Sequence, residues 1–195
     1  TLQDLPPVGR ICTGPNVIVV RADSPFKTLD DQIQAARKKP GSLSYASSGS
    51  GTAVHLAAEL LKTRAGVDFL VVPFNGTPAL TTALRGGQID VAVEILGPMM
   101  GQVNSKAVRP LAVLSDTRAS QIPDVPTLMQ SGVKDFDVSS WNALAAPAKT
   151  PKDVIAKLNA EFNKALKQPE LSKRLADEGA DPAGGTPEQF AALIK

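Results

Sequence analysis

The chain has 195 residues, 43% of them hydrophobic, and its 21 basic side chains against 19 acidic ones leave a net charge of +2. That is enough apolar material for one large domain or two small lobes. Basic residues are dispersed apart from Arg37-Lys38-Lys39, so neither a nucleic-acid partner nor attachment to a membrane surface is expected. One cysteine, Cys12, excludes an internal disulfide and a Cys-based metal set, and one histidine, His55, excludes a multi-His zinc site. No run approaches the ~18 consecutive apolar residues of a membrane span. The start Thr1-Leu2-Gln3-Asp4 lacks the basic and apolar regions of a signal peptide, so any export signal is expected to have been removed or never to have existed.

In chain order, Asn16 to Arg21 reads as a buried strand, and Asp23-Ser24-Pro25 turns the chain into a helix from Thr28 to Lys38. Thr28 and Asp31 have the spacing of a capping box, and Pro40-Gly41 stops the helix. The apolar run Leu43 to Ala46 leads into the polar hexapeptide Ser47-Ser48-Gly49-Ser50-Gly51-Thr52 and then a helical stretch from Ala53 to Ala65 ending near Gly66. Phe69 to Pro73 reads as a further strand. In Asn75-Gly76-Thr77-Pro78, Thr77 is placed to cap a helix whose first residue is Pro78 and which closes at Gly86-Gly87. Ile89 to Ile95 and Arg109 to Leu114 read as strands. Strands alternating with helices predict an α/β fold with a mainly parallel, twisted sheet.

Beyond Ser115 the texture changes. Gln121 to Thr127 is loop-like, a short helix is expected to end at Gly132, and Val138 to Pro147 is extended and apolar. Helices follow from Thr150, with Val154, Ile155, Leu158, Phe162, Ala165 and Leu166 in one stripe, from Pro169 to Gly179, and from Thr186 to Lys195, where Thr186 and Gln189 form a second capping box. Domain boundaries are accordingly expected at 16–137 for an α/β ligand-binding lobe. Residues 1–15 and 138–195 are expected to form a hinge and part of an incomplete second lobe.

The hexapeptide is the most informative segment. At a helix start the first N–H groups lack intrahelical acceptors, the macrodipole supplies partial positive charge, and glycines admit a ligand to the backbone. Ser47, Ser48, Ser50 and Thr52 add hydroxyls, and Gly49 and Gly51 add access. Two readings stand side by side, an anion site and an ordinary capped turn built from the same residue types. There is no Lys-Ser/Thr ending of a Walker A loop and no third glycine of a dinucleotide fingerprint, so nucleotide binding is not expected. His55 lies one turn into the helix on a polar face with Thr52, Glu59 and Lys62, opposite Ala53, Ala57, Leu60 and Leu61. It reads either as a donor at the rim of the site or as one half of a surface His–Glu pair. No nucleophile or orienting acid is tied to it, so no catalytic residue is expected. Asn75, Gly76 and Thr77 precede a second helix start, and in parallel sheets ligands sit beyond the carboxyl ends of strands, so both turns are expected to face one crevice. Glu94 either sits at an exposed strand end or needs a partner, and Trp141 offers a core packer or an aromatic surface for a ligand.

An ordered series of motifs resembles the tripartite tricarboxylate transporter substrate-binding proteins, the Bug or TctC family. It comprises Pro40-Gly41-Ser42-Leu43-Ser44-Tyr45-Ala46-Ser47-Ser48-Gly49-Ser50-Gly51-Thr52 with His55-Leu56-Ala57-Ala58-Glu59, Val72-Pro73-Phe74-Asn75-Gly76 and Gly87-Gln88-Ile89-Asp90-Val91. Arg109-Pro110-Leu111-Ala112-Val113, Pro123-Asp124-Val125-Pro126-Thr127, Ser139-Ser140-Trp141 and Ala146-Pro147-Ala148-Lys149-Thr150-Pro151 with Leu158-Asn159 complete it.

The resemblance implies a type II periplasmic-binding-protein fold and no enzymatic activity, cofactor or metal. It implies a periplasmic receptor that closes on a small organic carboxylate and delivers it to a membrane permease of a tripartite transporter. It places Ser47 to Thr52 and His55 on the ligand surface, with Asn75, Gly76, Thr77 and the positions around Glu94 and Trp141 as further candidates. It also implies a Gly-rich loop in preceding first-lobe sequence that no segment here matches, so the tail reads as the returning part of that lobe. Asn75 stands where the family commonly carries Lys or Arg, which implies a different ligand preference. Competing functions are a ligand-sensing module for a membrane kinase and, ranked lower, an enzyme using His55 as general base.

Overall fold

The structure, a computed structural model, describes residues 4–194. The chain forms two compact units, one of them Pro15–Ser140, the other joining the chain before Pro15 to the chain from Trp141 onward.

In the Pro15–Ser140 unit the sheet order is β3-β2-β4-β1-β5, with β1 Pro7–Arg21 contributing its second half, β2 Ser44–Ser48, β3 Leu70–Phe74, β4 Val91–Ile95 and β5 Val108–Val113. β2 is parallel to both β3 and β4. β1 runs antiparallel to β4 and β5, which makes the sheet mixed although its other strands share one direction. Strand alternation sorts side chains onto two helical layers. Ile18, Val20, Tyr45, Val91 and Val93 pack with Leu29 and Ile33 of α1 (Leu29–Lys38) and with Val54, Ala57 and Leu61 of α2 (Ala53–Ala65). Val17, Val19, Ala46 and Ala92 face the opposite way, toward Leu80 and Leu84 of α3 (Thr77–Arg85) and Leu96 and Met99 of α4 (Leu96–Asn104).

Local chemistry accounts for several helix ends. Thr28 Oγ1 accepts from the Asp31 backbone while the Asp31 carboxylate accepts from the Thr28 and Lys27 N–H groups, closing the expected capping box. Those backbone bonds hold the Asp31 carboxyl below its ordinary range. Gly66 ends α2 in the left-handed region, at φ 61°. Tyr45 stacks on Phe69 with ring centroids 3.5 Å apart, and burial pushes its phenol up. Arg109 fixes the β1–α1 connection by donating to the carbonyls of Ala22, Ser24 and Phe26.

Several expectations are corrected. Gly76 takes the N-cap position of α3, and Thr77 is its first residue with the hydroxyl directed elsewhere. The stretch before Gly132 is a succession of turns, held by Ser131 N–H to Thr127 and Gly132 N–H to Met129. Ala53 is exposed, whereas the next residue, Val54, is buried and starts the core face of α2. β1 begins at Pro7 rather than Asn16, and α4 is a helix not expected from the sequence: Leu96, Met99, Met100 and Val103 keep a helical apolar spacing, but Gly97, Pro98 and Gly101 are poor helix formers that mask it.

In the other unit the first half of β1 pairs with β6 (Ser139–Ala145) and antiparallel with β7 (Asp181–Gly184), in register Arg10↔Gly184 and Cys12↔Pro182. The helices are α5 (Lys152–Leu166), α6 (Pro169–Asp177) and α7 (Pro187–Ile194). Asn159 donates to the carbonyls of Val8 and Gly185, and Asn163 both donates to and accepts from Gly185, so two amides of α5 pin the strands to it. Thr186 and Gln189 exchange the two bonds of the second capping box. Of the α5 stripe only Leu166 is buried, Val154 and Leu158 are exposed, and α6 has no buried residue. No helix among the described residues is long and apolar enough to cross a membrane.

Candidate functional site

β2, β3 and β4 end side by side and parallel, so α2, α3 and α4 all start at the same edge of the sheet. Each helix start carries unpaired N–H groups and about half a positive charge, so this edge concentrates donors and positive potential. The two turns singled out in the sequence both lie here. They are joined through a single carbonyl, since Phe74 O accepts from Gly49 N–H at 2.8 Å and from Gly76 N–H at 2.9 Å.

Within the hexapeptide the hydroxyls do different things. Strand parity points Ser47 to the same face as Tyr45, where it is buried and its Oγ lies 3.4 Å from His55 Nδ1. That contact engages the half-buried imidazole through Nδ1. Ser48 points the opposite way, to the α3 and α4 face, and donates to Glu94 Oε1 at 3.0 Å. Thr52 is the N-cap of α2: its Oγ1 accepts from His55 N–H and reaches the carbonyls of Ser48 and Gly49 at 2.9 Å. Ser50 is exposed at the tip. Capping and an open donor surface therefore coexist, capping being the work of Thr52. Gly49 and Gly51 hold φ of 84° and 74°, which only glycine adopts at little cost.

Glu94 is the least expected part of the arrangement. The carboxylate is 1% exposed on β4, yet no cation faces it among the hydrogen bonds and ion pairs of the described residues. It is satisfied by Ser48 Oγ on one oxygen, Thr77 Oγ1 at 3.2 Å on the other, and the Ile95 N–H at 2.8 Å, where α4 begins. The positive ends of α3 and α4 supply the compensation a buried carboxylate needs. Glu94 thus lies beneath the two turns and bonds to a hydroxyl of each, whereas Ser48 and Thr77 themselves stay half-buried and reach the surface. Strand alternation alone places Ala92 with Glu94 and Ala46 with Ser48 on one face each, but it is the register Ala46↔Ala92, set by the fold, that puts Ser48 beside Glu94.

Other candidates separate from this constellation. Asn75 is exposed, Glu59 pairs with Lys62 at 3.5 Å instead of with His55, and Trp141 lies in the other unit, edge-on to Phe190 with centroids 5.2 Å apart. No group of three or more His, Cys, Asp or Glu positioned for a metal occurs among the described residues.

A mixed sheet with one reversed strand, flanked by two helical layers and carrying its donor-rich turns beyond the carboxyl ends of parallel strands, defines the periplasmic-binding-protein class. The chain belongs to the tripartite tricarboxylate transporter family receptor (TctC) group, which its residues 1–195 match throughout. It is 40% identical over 194 residues to the UPF0065 protein in the tcbD-tcbE intergenic region of Pseudomonas sp. strain P51, covering 99% of this chain and 58% of that protein. Among solved structures it is similar to an R. palustris protein with adipate (TM-score 0.91, 30% identity, 98% of this chain and 64% of that one). MatC from Rhodopseudomonas palustris with bound malate is also similar (TM-score 0.85, 30% identity, 97% and 66%). The chain therefore spans about three fifths of the length of these relatives. Members of the family are solute-binding proteins rather than enzymes.

Proposed function

We propose that the Pro15–Ser140 unit is the ligand-binding lobe of a periplasmic receptor for a small organic carboxylate, which the full-length protein delivers to a tripartite tricarboxylate-type permease. The reading assigns the remaining segments to a first lobe that is completed by sequence beyond this chain. The observation that carries it is the convergence of the α2, α3 and α4 starts with the Ser47–Thr52 and Asn75–Thr77 turns at one sheet edge. Family membership and the adipate and malate held by similar proteins support the carboxylate as ligand. Backbone N–H groups of the hexapeptide and the first turn of α2 donate to the carboxylate, with His55 at the rim. Charge-assisted bonds contribute about 1.5–3 kcal/mol each, so a few of them give roughly micromolar affinity after desolvation.

Titration calorimetry of the full-length protein with adipate, malate and succinate tests the reading. Heat is expected with at least one dicarboxylate and is expected to vanish in Gly51→Val, whose side chain strains a backbone at φ 74°. Affinity unchanged in Gly51→Val would reject the hexapeptide as the site. Loss of ligand uptake when the permease is deleted, with binding intact, is the expected result for delivery.

A further inference from the structure

We infer that Glu94 sets the hydrogen-bond polarity of the ligand surface and makes it select carboxylates that carry a hydroxyl. The inference rests on the carboxylate-receptor reading and deepens it, by naming which carboxylates the surface prefers. Ser48 Oγ donates to Glu94 Oε1 and Thr77 Oγ1 donates to Glu94 Oε2. A hydroxyl has one proton, so once it is committed the oxygen only accepts from anything else. The third bond, from Ile95 N–H, fixes the carboxylate from below and keeps it from turning away from the two hydroxyls.

The two hydroxyls that stand over Glu94 therefore offer lone pairs to the surface, while the neighbouring backbone offers N–H groups. His55 N–H is already taken by the Thr52 cap and Gly49 N–H by Phe74, which leaves the donor surface to the hexapeptide tip and the start of α2. A ligand that satisfies both kinds of group needs carboxylate oxygens to accept and a hydroxyl to donate, on adjacent parts of one small molecule. A bare dicarboxylate that meets Ser48 and Thr77 sets acceptor against acceptor, above a buried negative charge. Glu94 is a positioning residue in this scheme, because it acts on the ligand only through Ser48 and Thr77.

The test uses full-length protein and two pairs of probes that differ by one hydroxyl, malate against succinate and 2-hydroxyadipate against adipate. The wild type is expected to bind the hydroxylated member of a pair at least about fivefold more tightly, the worth of one ordinary hydrogen bond. In Glu94→Gln the amide donates to one of the hydroxyls and frees that proton, so the preference is expected to fall toward one, chiefly by gain of affinity for the unsubstituted acid. Ser48→Ala and Thr77→Val, which leave the buried carboxylate in place, are expected to weaken the hydroxylated probe and spare its partner. A purely structural role for Glu94 would weaken both members of a pair equally, and that result, or a wild type without preference, overturns the inference while leaving the carboxylate reading intact. A wild type that binds none of the four probes overturns both.

Discussion

The two left-handed glycines of the hexapeptide make unequal demands, and the difference is open to measurement. Gly51 has φ 74° and open space where a Cβ would stand; Gly49 has φ 84° and a Cβ there would lie 3.0 Å from Thr52 Cγ2. An alanine at either position meets the left-handed penalty of about 1–2 kcal/mol. At Gly49 it also drives a methyl into the residue that caps α2, an overpacking cost of about 1–3 kcal/mol. Gly51→Ala is therefore expected to destabilise by about 1–2 kcal/mol and Gly49→Ala by about 2–5 kcal/mol. Thr52→Ser removes the offending methyl and keeps the capping hydroxyl, so Gly49→Ala/Thr52→Ser is expected to recover stability to about the level of Gly51→Ala. Urea unfolding of the wild type, the three single variants and the double variant gives the coupling directly. Equal losses in the two glycine variants, or no recovery on adding Thr52→Ser, would refute the account of the turn.

Leu61, 1% exposed in the layer between the sheet and α2, is expected to cost about 2–5 kcal/mol on truncation to alanine, read as a lower urea midpoint at constant slope. Asp31→Asn should lower the melting temperature at neutral pH. Because its folded-state pKa is depressed, the stability that Asp31 gives is present above its unfolded pKa and lost as pH falls through the folded one, so the two proteins should converge in acid. Val154→Glu with Leu158→Lys should shift the stability of the 195-residue chain, read by urea unfolding, by less than about 0.5 kcal/mol, since both side chains are exposed. In a full-length protein whose additional sequence packs on α5, the same pair should be destabilising.

Much of the fold was legible because local signals agreed with the tertiary answer. Both capping boxes form from the predicted residues, and Gly66 closes α2 where the sequence placed its end. What escaped were elements made by long-range pairing. β7 reads Asp-Pro-Ala-Gly, with no strand propensity, and exists because Arg10, Cys12 and Thr13 pair with it. Thr77 before Pro78 is a local capping signal, but Glu94, seventeen residues on, takes its hydroxyl instead. At the site, the hexapeptide and the Asn75–Thr77 turn could be placed at one sheet edge from strand order alone. Which hydroxyl serves the cap, which holds His55 and which meets Glu94 depends on strand parity and on the β2–β4 register.

The position of Glu94 resolves a tension in reading an acid beside an anion site. An exposed carboxylate there would repel a carboxylate ligand; at 1% exposure, bonded to two hydroxyls and a backbone N–H, its charge is met first by the starts of α3 and α4. A unit charge set against helix ends worth about half a charge each leaves little surplus potential over Thr77 and more over the start of α2. On the proposed reading the ligand carboxylate belongs over Gly49–Thr52 and the start of α2, and its hydroxyl over Ser48 and Thr77. The same buried charge that would weaken a surface for polyanions gives this one a direction, with donors on the α2 side and acceptors toward α3.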